Sequence, residues 1–413
     1  MFWIGAVLVS TVAIGFAMLA DRASALFEHV QAPRPWIAFI ICPLGLVACF
    51  LMTRYVFPGA QGSGIPQVIA AQHMSDRAAV ARVLSLRISI GKIGLTLLGL
   101  ACGASIGREG PTVQVGSSIM YALGRALRLP RPDLERALIL AGGAAGVAAA
   151  FNTPLAGVVF AIEELSHAFE SRTSGVVLTA VIVGGITTLA LVGNYSYFGH
   201  TAATLDFGRG WIAVALCGGA GGLAGGLFSA ALVRFAGGLP GRAGAWLARY
   251  PAGFAALCGL AIAALGVLSH GQTYGTGYEQ ARGMVEAHTT LPASYAVLKF
   301  AATVVSYISG IPGGIFAPSL SVGAGMGQTL SHLIPLAPTG AVVVLGMVGY
   351  FSGVVQAPIT AAVIVLEMTD NQALTIPVLA TSFLAFGVSR LVCRRPIYVA
   401  LARRFLDAQQ RAH

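Results

Sequence analysis

Long apolar runs, rather than alternation, organise this chain. Stretches with at most one charge extend from Phe2 to Ala20, Trp36 to Val56, Val176 to Val192, Trp211 to Val233, Tyr295 to Ile308, Ala341 to Leu366 and Leu374 to Val392. An α-helix needs about 20 such residues to cross a bilayer. A spanning segment must satisfy its own backbone, and these runs lack the ten-residue alternation of a barrel strand. The pattern therefore predicts an all-α polytopic membrane protein, with Phe2 to Ala20 retained as a first helix because no basic segment precedes it. Other segments are cut by Gly and Pro at Gly107 to Pro111, Asn152-Thr153-Pro154 and Gly310 to Pro318. Broken helices at membrane depth line cavities, so these cuts mark the expected pathway.

Composition fits this picture. Charged residues make up 10% of the chain, and mean hydropathy is +0.80. The formal charge of +10 gathers in clusters: Arg77, Arg82 and Arg87; Arg125, Arg128, Arg131 and Arg136; Arg394, Arg395, Arg403 and Arg404. Local loop charge of this kind predicts that the three clusters, and both termini, face the cytoplasm. The surplus reflects topology and not nucleic acid, which would need a basic soluble face. Cys42, Cys49, Cys102, Cys217, Cys258 and Cys393 form no C-x-x-C pair and read as packing residues. The eight histidines show no metal-ligand spacing, so neither a metal nor a cofactor is expected. With 15 residues after Tyr398, no appended soluble domain is expected.

The segment from Phe151 to Glu163 echoes that from Val355 to Glu367: Pro154 matches Pro358 and Glu163 matches Glu367, each 204 residues on. Pro111 and Pro318 are 207 apart, and Gly62-Ser63-Gly64 precedes Gly275-Thr276-Gly277 by 213. These matches, in the same order, predict two related halves, about 1–200 and 208–392, followed by a short segment 393–413. Repeats of this type bring half-helix N-termini together near the midplane, where free N–H groups and helix dipoles hold an anion without a full positive charge. The most informative residue there is Glu109, an acid between two apolar runs. An ionised group at bilayer depth costs roughly 2.5 to 3.5 kcal/mol even on the mildest scale, so such acids usually mark ion or proton pathways.

At these residues the chain resembles the CLC family of chloride channels and chloride/proton antiporters, in its bacterial form. The resemblance rests on Gly62-Ser63-Gly64-Ile65-Pro66, Gly107-Arg108-Glu109-Gly110-Pro111, Gly314-Ile315-Phe316-Ala317-Pro318 and Tyr398, in the family's order, with Leu366-Glu367-Met368-Thr369-Asp370-Asn371 as a further likeness. It implies a homodimer in the cytoplasmic membrane whose subunits each exchange chloride for protons. The hydroxyls of Ser63 and Tyr398 and the amides of Ile315 and Phe316 would bind the anion. Glu109 would be the gate, a carboxylate that competes with the anion and swings away once protonated. Glu164 would transfer protons on the inner side, with Glu163 beside it as a second candidate.

Other readings of these residues stay open from sequence. Ser63 suits an N-cap on a helix starting near Ile65, and Tyr398 suits an interfacial anchor beside Arg394 and Arg395. Lys92, alone in an apolar run, either snorkels to an interface or sets a positive field on the anion path. Arg108 is either a brace or a vestibule charge. Some relatives carry acids at the positions of Gln67 and Ile69, and this chain does not, which alters the expected surroundings of Glu164. A passive chloride channel gated by Glu109 is the closest alternative. A membrane-embedded hydrolase would need a nucleophile or metal motif that the sequence does not offer.

Overall fold

The computed structural model describes residues 2–74, 76–127, 132–166, 171–193, 196–332 and 337–410. Arg128 and Arg131 of the second basic cluster lie outside them. The first half comprises α1 (Phe2–Gln31), α2 (Ala38–Tyr55), α3 (Ile65–His73), α4 (Arg77–Val83), α5 (Leu86–Ala101), α6 (Glu109–Ala126), α7 (Pro132–Phe151), α8 (Pro154–Phe160) with a π-helical turn at Ala161–Ser166, and α9 (Ser171–Val192). The second comprises α10 (Ile212–Ala236), α11 (Gly241–Arg249), α12 (Pro251–Leu268), α13 (Tyr278–Val285), α14 (Ser294–Ile308), α15 (Phe316–Ser331), α16 (Thr339–Val355), α17 (Pro358–Thr369) and α18 (Thr375–Val392), and α19 (Ile397–Gln410) closes the chain.

Eight helices among the described residues are long and apolar enough to cross a membrane. One expectation needs correction: the run Ala341 to Leu366 is two helices, α16 and α17. Pro358 cannot continue a helix, and the turn before it puts Gln356 at φ +59°, a left-handed conformation that ends α16. Asn152, 204 residues earlier, has φ +56° at the same place before Pro154. Two non-glycine residues in this uncommon region, at matching positions, are the backbone form of the repeat.

Side chains repeat the relation. The Glu367 carboxylate accepts from the amides of Leu155 (3.1 Å) and Ala156 (2.7 Å), capping α8. The Glu163 carboxylate accepts from those of Ile359 (3.1 Å) and Thr360 (2.6 Å), capping α17. Each half therefore terminates a helix of the other, with a negative group set against a helix N-terminus. Helix crossings match as well. A Cβ on Gly116 would lie 2.3 Å from the Gly142 carbonyl oxygen, and one on Gly323 would lie 2.6 Å from that of Gly346. Side chains at these positions would push α6 from α7 and α15 from α16, which are among the closest helix pairs in the fold.

Candidate functional site

The cuts in the chain meet at one place. The amide of Gly107 donates to the carbonyl of Gly314 and the amide of Gly314 to that of Gly107, both at 2.7 Å. The amide of Gly62 donates to Ile311 O (3.2 Å) and that of Gly313 to Gly62 O (3.0 Å). Two short bridges thus tie the loop before α3, the loop before α6 and the loop before α15 together. The first-turn amides of these helices have no intrahelical acceptor, so the bridges aim several free N–H groups into one region.

Close approach dictates the glycines there. A Cβ on Gly110 would sit 2.2 Å from Ser63 Oγ, and one on Gly64 would meet Gly110 O at 2.8 Å in a backbone held at φ +103°. Pro66, Pro111 and Pro318 fall in the first turns of α3, α6 and α15, where a missing N–H breaks no helical bond.

Ser63 does not cap α3. Gly64 holds the cap position, the first turn receives no side-chain bond, and the buried Ser63 hydroxyl has no hydrogen-bond partner. The Tyr398 hydroxyl, also fully buried, likewise has none. Tyr398 is therefore not at an interface; its hydroxyl faces that of Ser63. Its ring lies 6.0 Å from that of Phe316, which in turn packs on Phe351 (4.8 Å), Phe151 and Phe160 (6.0 Å each). That aromatic packing fixes both Tyr398 and the first turn of α15. Two buried hydroxyls left unbonded beside helix N-termini form an acceptor-poor, donor-rich site, the arrangement a dehydrated anion requires.

Glu109, fully buried in the first turn of α6, accepts a short hydrogen bond from the Tyr278 hydroxyl; its second oxygen has no partner and lies against Gly107. Arg108 turns to α1, where Nη1 bonds Ala17 O (2.6 Å) and Asp21 (2.5 Å). Its guanidinium carbon lies 5.3 Å from the Tyr197 ring centroid and 5.4 Å from that of Tyr278. Arg108, Ala17, Asp21, Tyr197 and Tyr278 border a cavity of about 450 Å³, which Glu279 also lines.

A second cavity, of about 370 Å³, is lined by Ser63, Gln67, Tyr307 and Arg404. The Gln67 amide donates to Gly59 O (3.1 Å) and Gln61 O (2.6 Å) and so braces the loop leading to Ser63. The ion pair of Arg77 with Glu135 (2.7 Å) joins α4 to α7 and brings the first two basic clusters to one side.

Glu164 sits in the π-helical turn after α8, buried, with one carboxyl oxygen unpartnered. Such turns often occur at functional positions. Its neighbour Glu163 has both oxygens engaged in the cap on α17.

Lys92 does not snorkel. It is fully buried, and Nζ donates to the carbonyls of Ala60 (2.6 Å), Gln61 (3.3 Å) and Gly62 (2.8 Å). Lys299, 207 residues on, does the same to Thr273 (3.0 Å), Tyr274 (3.3 Å) and Gly275 (2.8 Å). Three acceptors match the three donors of an ammonium group. Sequence reading singled out neither Lys299 nor Tyr278. The first was signalled by its offset from Lys92, and the second follows directly on the repeat motif Gly275-Thr276-Gly277.

Comparison with known proteins identifies the fold and the family. A sequence model described as voltage gated chloride channel matches residues 44–390. The H(+)/Cl(-) exchange transporter ClcA of Yersinia pestis bv. Antiqua (strain Angola) is 33% identical over 404 residues, covering 91% of this chain and 79% of the relative. A slow cyanobacterial Cl-/H+ antiporter superposes with a TM-score of 0.83 at 24% identity, over 99% of this chain and 98% of that one. A CLC-type fluoride/proton antiporter gives 0.80 at 22% identity, covering 96% of each. At these identities the two structures establish a shared fold of inverted repeats.

Proposed function

The chain belongs to the voltage-gated chloride channel family, and from that premise we propose that it exchanges chloride for protons across the cytoplasmic membrane. In this reading Ser63, Tyr398 and the amides of Ile315 and Phe316 hold the anion. Glu109 competes with it and yields when protonated, because carboxylate and chloride seek the same donors. Glu164 passes the proton between this region and the cytoplasm by a route separate from the anion's. The cavity beside Arg404 is then the cytoplasmic mouth, in keeping with the basic clusters, and both termini lie on that side. We further propose a homodimer; Ile182, Ile186 and Leu189 on α9 and Phe383 on α18 are exposed and apolar, as a helix-packing face requires.

One observation carries exchange over passive conduction: a second buried acid, Glu164, with an unpartnered carboxyl oxygen close to Tyr398. A conduction path for anions alone gains nothing from a buried carboxyl near its binding site.

Purified protein in liposomes, given a chloride gradient and no initial pH gradient, should drive protons uphill. Chloride movement without proton movement would overturn exchange and identify a passive channel. Within the same assay Gly110→Ala should lower chloride flux at least about tenfold. The added methyl would meet both the Ser63 hydroxyl and its backbone carbonyl, at 2.8 Å for the latter, so it must displace Ser63 and the loop that carries it. Unchanged flux would separate Ser63 from the anion.

A further inference from the structure

Nothing in the family motifs accounts for the contact between Tyr278 and Glu109. The two residues are 169 positions apart and belong to different halves, yet the phenol donates to the carboxylate at full burial. We infer that Tyr278 is a positioning residue for Glu109: a latch whose hydroxyl holds the gating carboxylate in place.

The surroundings are built for this. Gly277, at φ +82°, turns the chain so that α13 begins on Tyr278. The Tyr278 ring is packed against Tyr197 (4.3 Å between centroids) and Phe198 (5.2 Å), so its hydroxyl has little freedom to leave Glu109. Arg108, held by Asp21, lies over both tyrosine rings. Behind the loop, Lys299 grips the carbonyls of Thr273 and Gly275. The ionisable groups around Tyr278 and its cavity are Asp21 and Glu28 from α1, Arg108 from the loop before α6, Tyr197 from the segment after α9, Glu279 and Arg282 from α13 and Lys299 from α14, and Tyr398 of α19 lies on the side of Glu109.

A phenol O–H stabilises a carboxylate more than it stabilises the protonated acid. Tyr278 therefore holds the carboxylate where it sits, and Glu109 clears the anion path only when that hydrogen bond is released. This role rests on the transport reading above.

The test is the pH dependence of chloride efflux from liposomes for wild type, Tyr278→Phe, Glu109→Gln and the double variant. Tyr278→Phe keeps every ring contact and removes only the donor. Its half-maximal flux should move about one to two pH units toward alkaline, a tenfold to hundredfold change in the proton concentration required. In the Glu109→Gln background the same change should have no effect on the profile, whereas a merely structural role for Tyr278 would disturb flux in both backgrounds. As a second measurement, 3-fluorotyrosine at position 278, a stronger donor of the same shape, should shift the profile the opposite way. An unmoved midpoint in Tyr278→Phe, or an equal shift in the Glu109→Gln background, overturns the latch while leaving anion transport intact. Absence of chloride flux in the wild type overturns the transport reading, and the latch with it.

Discussion

Glu164→Gln is expected to abolish uphill proton movement while leaving chloride flux within about threefold of wild type. Glutamine has nearly the same shape and cannot carry a proton on and off, so it removes titration and little else. The unpartnered oxygen of Glu164 means that one side of the new amide breaks no existing bond. The adjacent acid supplies the control. Glu163 has both oxygens bonded to the first amides of α17, so Glu163→Gln sets an NH2 group against an N–H and should destabilise the fold by about 1 kcal/mol. Coupling should persist in that variant. Measured together as proton pumping and thermal unfolding in detergent, the two neighbours should separate: one loses coupling, the other stability. Proton pumping at wild-type level in Glu164→Gln would remove Glu164 from the proton route.

Much of this arrangement was legible because membrane chains display their constraints locally. A span is a run of apolar residues, and a break in one is a Gly or Pro, so the loops before α6 and α15 could be read directly. The run Ala341 to Leu366 misled because its composition stays apolar through Pro358; the break lies in the backbone at Gln356 and not in hydropathy. Contacts between halves left weaker traces. The reciprocal caps of Glu163 and Glu367 could be seen only as an offset of 204, with no sign that each carboxylate crosses to the other repeat. The hydrogen bond from Tyr278 to Glu109 and the pairing of Arg108 with Asp21 depend on packing across distant segments, and no periodicity encodes them.

The two buried lysines offer the sharpest test of how the halves differ in use despite matching in form. Lys92→Met and Lys299→Met each remove an ammonium from three converging carbonyls. Methionine fills the volume but donates nothing, and each buried acceptor left unsatisfied costs about 1 to 3 kcal/mol. Removing the desolvated charge offsets part of that, so a net loss of about 2 to 4 kcal/mol is expected for each, seen as a lower unfolding temperature. Function should divide by side. The loop held by Lys92 runs directly into Ser63, so Lys92→Met should also weaken chloride binding. A donor group bonded one residue from Ser63 favours an anion there, so a rise in Kd of roughly fivefold or more is expected by calorimetry. The loop held by Lys299 runs into Gly277 and Tyr278, so Lys299→Met should leave chloride affinity nearly intact and instead move the pH profile of flux toward that of Tyr278→Phe. Equal losses of chloride affinity in both variants would mean that the lysines act on the anion only through the stability of the fold.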